Sequence, residues 1–404
     1  MAKTIAVVAT LDTKGVEANF IRDRVEAAGL SALVIDTGVL AEPAVQGDIP
    51  RETVAEAAGT SLARLVSEKD RGKSVTAMAE GAAKVVRRLF DAGKIHGIIS
   101  IGGSAGTTIG TAAMRALPVG FPKVMVSTLA SGDTRPYVGI KDITMMYSVV
   151  DIAGLNRLSR RILANAAAAV CAMAQAELPP AAEERPLLAA TMFGVTTPCV
   201  TRAREILEEN GFEVLVFHAT GTGGLAMEDL IESGFIAGVL DITTTEWADE
   251  LVGGVLSAGP HRLEAAGKKG IPQVVAPGAL DMVNFGPPET VPEKFKTRRF
   301  YQHNPTVTLM RTTKEENAQL GRIIAEKLNA AKGPTTFFYP RNGVSAIDQE
   351  GQPFYDPEAD EAFISFLKAS LNPSVQLIEM DNHINDEAFA AALAYSLMEK
   401  LARA

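Results

Sequence analysis

Two α/β domains, each a mostly parallel sheet flanked by helices, are what this 404-residue sequence predicts. Three observations carry that expectation. Short apolar runs alternate with helix-period segments along the whole chain. A proline-rich, charged stretch interrupts the alternation once, near the middle. Polar, glycine-rich turns recur directly after the apolar runs, where parallel strands hand over to helices.

Taken in order, Thr4–Ala9 reads as a strand, 15–28 as a helix stopped by Gly29, and 32–35 as a second strand. Helical patterns cover 51–68 and 74–92, the latter closed by Gly93. Residues 98–101 and Lys123–Ser127 are further buried strands, 107–117 a helix, and 138–143 another strand. Residues 151–177 read as one long helix or two. Leu178-Pro-Pro-Ala-Ala-Glu-Glu-Arg-Pro186 has no apolar period and is the expected linker. The alternation then restarts: strands at 187–192, 213–217, 238–240, 273–276, 307–310, 335–339 and 375–379, with helices at 199–209, 314–331 and 386–402. Both halves are therefore expected to be Rossmann-like, spanning 1–180 and 186–404, with a cleft between them.

Composition narrows the function classes. The chain has 39 basic and 48 acidic residues, a net charge of −9, so a general nucleic-acid surface is not expected. Its two cysteines give neither a disulfide framework nor a Cys-x-x-Cys metal spacing, and no metal site is predicted. The apolar run 162–176 is too short to span a bilayer. With a strand starting at Thr4, no signal peptide is expected either, and the cytoplasm is the expected location.

The most informative stretch is Gly97-Ile-Ile-Ser-Ile-Gly-Gly-Ser-Ala-Gly-Thr-Thr-Ile-Gly110: a buried strand, a glycine-rich turn, then a helix. Gly102, Gly103 and Gly106 admit a ligand close to the backbone. Ser104 and Thr107 add hydroxyls at a helix start that favours an anion. Tight strand–helix packing is the other use of such glycines. No Walker-type lysine follows, and the turn does not open a first G-x-G-x-x-G unit. Ligands of open α/β sheets sit beyond the carboxyl ends of strands. The loops at those ends are 10–15, 36–38, 102–107 and 127–133 in the first half, and 193–198, 218–224, 241–246 and 277–281 in the second.

These loops carry a resemblance. Thr10-Leu-Asp-Thr-Lys-Gly15, Gly102-Gly-Ser-Ala-Gly-Thr107, Thr196-Thr-Pro-Cys-Val200, Phe217-His-Ala-Thr-Gly-Thr-Gly-Gly224, Asp241-Ile-Thr-Thr-Thr-Glu-Trp247 and His303-Asn-Pro-Thr-Val-Thr-Leu-Met-Arg-Thr-Thr313 together resemble the ATP-binding domain family named for the tomato mosaic virus resistance protein. The resemblance extends over nearly the whole chain. It implies a homodimer and a nucleotide, ATP, held largely by the amino-terminal half; whether magnesium accompanies it stays open.

Candidate nucleotide-binding residues follow from the loops. Lys14 offers a compact positive charge and Thr13 a hydroxyl, with helix capping the alternative for Asp12 and Thr13. Asp36, Thr37 and Gly38 end the second strand, where an acid meets a ribose or simply makes a turn. Lys73 belongs to a basic segment, 71–74, that closes over phosphate or is a solvated helix start. Ser127, Thr128, Ser131 and Gly132 leave space for a base or phosphate, or form a crowded turn. In the second half, His218, Asp241, Glu246 and His303 are the catalytic candidates of an alternative reading: an enzyme acting on a small phosphorylated or carboxylated, hence acidic, metabolite in the cleft. Cys199 stands at a helix start, a position that lowers a thiol pKa; buried packing is its other reading.

Overall fold

The computed structural model describes residues 2–177 and 184–403, so residues 178–183 of the expected linker lie outside the described residues. The chain divides into two compact units, Met1–Pro180 and Ala181–Ala404.

The first unit is built on five parallel strands: β1 (Thr4–Ala9), β2 (Ser31–Asp36), β3 (Gly97–Gly102), β4 (Lys123–Ser127) and β5 (Thr144–Tyr147). Their order is β2-β1-β3-β4-β5. The apolar runs of β1, β3 and β4 are buried on both faces, as a parallel sheet covered by helices requires. Helices α1 (Leu11–Ala27) and α7 (Arg157–Gln175) pack one face around Ile5, Val7, Ile99 and Val124. Helices α2 (Arg51–Ala57), α4 (Arg71–Asp91) and α5 (Ser104–Arg115) cover the other, around Val8, Ile98, Met78 and Met114. The helical pattern at 51–68 is two helices: the chain turns at Gly59 (φ +82) and restarts as α3 (Leu62–Glu68), capped by Ser61.

One expected strand moves. Residues 135–138 form the short helix α6 (Arg135–Val138), and the strand begins only at Thr144. Gly139 takes φ +56, and Asp142 is drawn aside by the Lys123 ammonium (2.7 Å) and the Gly120 N–H (2.8 Å). Those bonds anchor the segment as a loop.

The second unit repeats the design with six parallel strands: β6 (Leu187–Met192), β7 (Glu213–His218), β8 (Gly238–Thr243), β9 (Gln273–Gly278), β13 (Thr335–Pro340) and β14 (Gln376–Met380), in the order β14-β13-β9-β8-β6-β7. Helices α8 (Thr197–Glu209) and α14 (Glu387–Leu401) cover one face. Helices α9 (Thr222–Glu232), α11 (Ala265–Lys269), α12 (Lys314–Asn329) and α13 (Pro357–Ser370) cover the other. The short helix α10 (Glu246–Val252) follows β8. Between β9 and α12 lies an insertion that the strand–helix alternation does not announce. It is an antiparallel sheet of β10 (Met282–Phe285), β11 (Phe300–Asn304) and β12 (Val307–Arg311).

Counted within each unit, the parallel sheets run 2-1-3-4-5 in the first and 2-1-3-4-5-6 in the second, the doubly wound order. Each has its switch point between the first and third strands, β1/β3 and β6/β8, where the crevice beyond the strand ends is the place for a ligand.

Candidate functional site

At the β1/β3 switch point the first unit holds a cavity of about 530 Å³. Its floor is the loop after β1 (Thr10, Asp12, Thr13, Lys14) and the glycine turn after β3 (Gly102 to Gly106). Thr37, Val39 and Leu40, after β2, form one side. Leu65 and Val66 of α3, the turn at Lys69 and Asp70, and Arg71, Ser74, Val75 and Met78 of α4 form the outer wall.

The glycine turn is shaped by close approach. A Cβ on Gly102 would stand 2.6 Å from Gly106 Cα, and one on Gly106 would stand 2.9 Å from Ile101 O. Only glycine lets the chain fold back this tightly into α5. Gly103 is different: a Cβ there meets nothing nearer than Thr128 Oγ1 at 3.7 Å. Among the described residues no side chain caps α5, whose N-cap is Gly103. Its first residues, Ser104 to Gly106, line the cavity with no side-chain acceptor for their N–H groups, where the helix dipole also favours negative charge.

The start of α1 is, by contrast, consumed internally. The Leu11 N–H donates to Asp36 Oδ1 (3.0 Å), and Gly38 N–H donates to the same oxygen (2.8 Å). Asp36 is buried, and that burial pushes its carboxyl pKa up against the opposing pull of those two N–H groups. It works as a bracket between the loops after β1 and β2 and does not line the cavity. Asp12 fastens the same loops through Oδ2, which accepts from Leu40 N–H (2.7 Å), and its carboxylate packs on Gly38, where a Cβ would come within 2.6 Å. Lys14 lines the cavity, with its backbone pulled out of the helical region (φ −128, ψ 19).

The structure therefore gathers Asp12, Thr13, Lys14, Thr37, Gly102, Gly103, Ser104 and Gly106 at one cavity. The other candidates lie behind or beside it. Thr107 and Ser127 are buried and joined to each other (2.7 Å), tying α5 to the end of β4. Thr128 donates its N–H to Gly102 O (3.2 Å). Ser131 and Gly132 lie in an exposed turn. Lys73 points its ammonium toward Glu68 (3.8 Å) and Asp70 (3.9 Å) and does not line the cavity. Sequence reasoning missed the aliphatic wall (Val39, Leu40, Leu65, Val66, Val75, Met78, Ile109). Leu65, Val66, Val75 and Met78 fall within the helical patterns at 51–68 and 74–92, where apolar spacing does not separate a core-facing side chain from a cavity-facing one.

In the second unit the equivalent ground is filled. Thr196 and Thr243, after β6 and near the end of β8, share a hydroxyl hydrogen bond (2.8 Å), and both are fully buried. Thr191 donates to Asp241 Oδ1 (2.7 Å). Asp241 is gripped by both ends of the Arg262 guanidinium (2.5 and 2.6 Å), and Arg262 Nε reaches Glu246 Oε2 (2.7 Å). Glu246 Oε1 accepts from Gly221 N–H (2.7 Å) and Gly224 N–H (3.0 Å). The glycine loop before α9 thus already holds an anion, and it belongs to the protein. Burial raises the Glu246 pKa, and the Arg262 charge opposes it. His218 is exposed at the end of the sheet-edge strand β7, and His303 is exposed on β11 of the antiparallel sheet. Neither takes part in the Asp241–Arg262–Glu246 network. Cys199 is buried, which drives its thiol pKa upward, opposite to what a nucleophile needs.

This unit has its own cavity of about 580 Å³ beyond β13 and β14, lined by Tyr339, Arg341, Asp360, Lys368, Glu379 and His383 among others, and by none of the four catalytic candidates. Behind it Asp360 bonds Arg311 (2.6 Å) and Asp348. Among the described residues no group of His, Cys, Asp and Glu could hold a metal ion, and no helix is long and apolar enough to cross a membrane.

A doubly wound pair of domains with one open switch-point cavity is the class of protein this geometry defines. The particular family follows from comparison. The profiles of the Uncharacterised protein family (UPF0261) N-terminal and C-terminal domains match residues 3–179 and 185–401, and the chain belongs to that family. It is 60% identical over 402 residues to a UPF0261 protein of Clostridium tetani, covering 99% of this chain and 100% of that one. It is also 46% identical over 336 residues to the ToMV resistance protein Tm-1(GCR237) of Solanum lycopersicum, covering 81% of this chain and 45% of the tomato protein. A solved UDP-N-acetylglucosamine 2-epimerase from Rickettsia bellii aligns over 100% of this chain and 97% of its own at 10% identity and a TM-score of 0.24, too loose a match to bear on function.

Proposed function

We propose that the amino-terminal domain binds ATP in the β1/β3 cavity. The observation that carries this reading is the uncapped start of α5, set beside Lys14 on the floor of a cavity with an aliphatic wall. The floor suits phosphate: free N–H groups, a helix dipole and one ammonium. The wall, from Leu65 to Met78, suits the apolar faces of a base. The resemblance to the ATP-binding domain family points to the same ligand. It also supports a cytoplasmic homodimer, which size-exclusion chromatography with light scattering tests.

The direct experiment is a melting curve of the full chain with and without ATP, with magnesium present or chelated. ATP at ~100 times its dissociation constant adds ~2.7 kcal/mol to the stability of the binding domain. An unmoved transition at millimolar ATP overturns the reading. Release of phosphate only in the presence of an acidic metabolite would instead favour the enzyme.

A further inference from the structure

The floor and the outer wall of the first cavity are anchored very differently. The floor grows out of buried strand ends. The wall begins with α3, a seven-residue helix that buries a single residue, Leu65. Beside it Val66 is 48% exposed although it lines the cavity, and Leu40, across the mouth, is 78% exposed. Two aliphatic side chains thus stand in water at one opening. Lys69, which closes α3, holds a left-handed backbone (φ +51), a conformation that a residue with a Cβ adopts at a cost. The segment is lightly held, strained at one end, and leaves apolar surface uncovered.

Its charges complete the picture. Lys69 and Arg71 line the cavity, and neither makes a hydrogen bond or an ion pair through its side chain with any described residue. Lys73, two positions on, is turned toward Glu68 and Asp70. The floor offers one cation, Lys14. A nucleoside triphosphate carries three to four negative charges, more than one ammonium and a helix start can meet. Past Lys14, the cations that line the cavity are Lys69 and Arg71, both on the outer wall where α3 hands over to α4.

We infer that α3 and the Lys69–Arg71 turn form a strap that closes over the ligand, with Lys69 and Arg71 meeting the phosphates beyond the one seated on the glycine turn. Closure brings Val66 toward Leu40 and covers both. The site then selects nucleoside di- and triphosphates over monophosphates, because a monophosphate reaches only the floor. This rests on the nucleotide reading above.

Trypsin supplies the test, since it cuts after Lys69 and Arg71. The full chain is digested briefly with ATP, ADP, AMP or no ligand, and cuts at these two bonds are followed by mass spectrometry. Melting curves run in parallel, and a K69A/R71A variant is titrated with ATP and AMP by calorimetry. The strap predicts at least tenfold slower cutting with ATP and ADP, little change with AMP, and at least tenfold weaker ATP binding in the variant with AMP affinity unchanged. Stabilisation by ATP with undiminished cutting, or with unchanged affinity in the variant, overturns the strap and leaves the nucleotide site standing. No stabilisation by any of the three nucleotides overturns the site, and the strap with it.

Discussion

The two domains share a strand order and differ in what occupies the switch point. In the first, the loops after β1 and β3 leave about 530 Å³ open, with the helix start after β3 lacking a side-chain cap. In the second, the ends of β6 and β8 and the loop after β6 are packed with Thr191, Thr243 and Thr196, and the glycine loop between β7 and α9 is stoppered by Glu246. Glycine-rich turns alone therefore do not define a ligand site. What separates the two is whether the protein supplies its own anion. The same strand order leaves an open cavity at the switch point of one domain and a buried polar network in the other.

The comparison breaks most sharply at Arg262. Its guanidinium is buried and joined to Asp241, Glu246 and Glu228. Arg262→Ala leaves three buried carboxylates facing one another, and removing one partner of such a network costs about 3–5 kcal/mol. Urea denaturation is expected to show the carboxyl-terminal domain unfolding early, while ATP still raises the melting transition of the other domain. An unchanged denaturation midpoint would show that the network holds nothing together.

Next in size is Lys14→Ala. Loss of a charge-assisted bond to phosphate weakens ATP by about 1–3 kcal/mol. Calorimetry reads it, and an unaltered affinity removes Lys14 from the site.

Much of this was legible in the sequence. β1, β4 and β6 occupy the expected ranges, because a strand buried on both faces is apolar through its middle and shows as a short apolar run. The loops that carry the site were legible for the same reason: they are where those runs stop. The inserted sheet β10–β12 was not, since its short apolar runs look like any other buried strand and nothing local states that they pair antiparallel. The assignment of roles was harder still. Asp36 and Lys14 look equally functional in the sequence, yet one is turned inward onto Leu11 and Gly38 N–H groups and the other faces the cavity. Asp241 and Glu246 read as acid–base chemistry because the residue that neutralises them, Arg262, lies 16 to 21 positions away in an unremarked loop.

A paired substitution sharpens the contrast between the glycine loops. A Cβ on Gly224 would stand 2.2 Å from Glu246 Oε2, whereas one on Gly103 would make only an ordinary contact, 3.7 Å from Thr128 Oγ1. Gly224→Ala is therefore expected to destabilise its domain by about 1–3 kcal/mol through overpacking. Gly103→Val is expected to fold with an unchanged melting temperature and lose ATP binding, because the added methyl groups occupy space meant for ligand. Equal stability losses in the two variants would erase the distinction between a filled and an open loop.

The smallest expected effect is a pH dependence confined to the second domain. Burial pushes the carboxyls of Asp249, Asp348 and Asp360 up to about 7, and that of Asp281 to about 6. In the unfolded chain each titrates near its ordinary value of about 4. Between those limits the folded state binds more protons than the unfolded one, so stability falls as pH rises through that window. Nearby cations moderate the effect, as Arg311 does for Asp281, Asp348 and Asp360. The first domain has one carboxyl raised in this way, Asp36, against which two N–H groups pull. Denaturation of the carboxyl-terminal domain should therefore need more urea at pH 5.5 than at pH 7.5, with a smaller shift in the amino-terminal domain. Midpoints that move together, or move the other way in the second domain, would mean that these buried acids are ionised in the fold and that solvent or a cation reaches them.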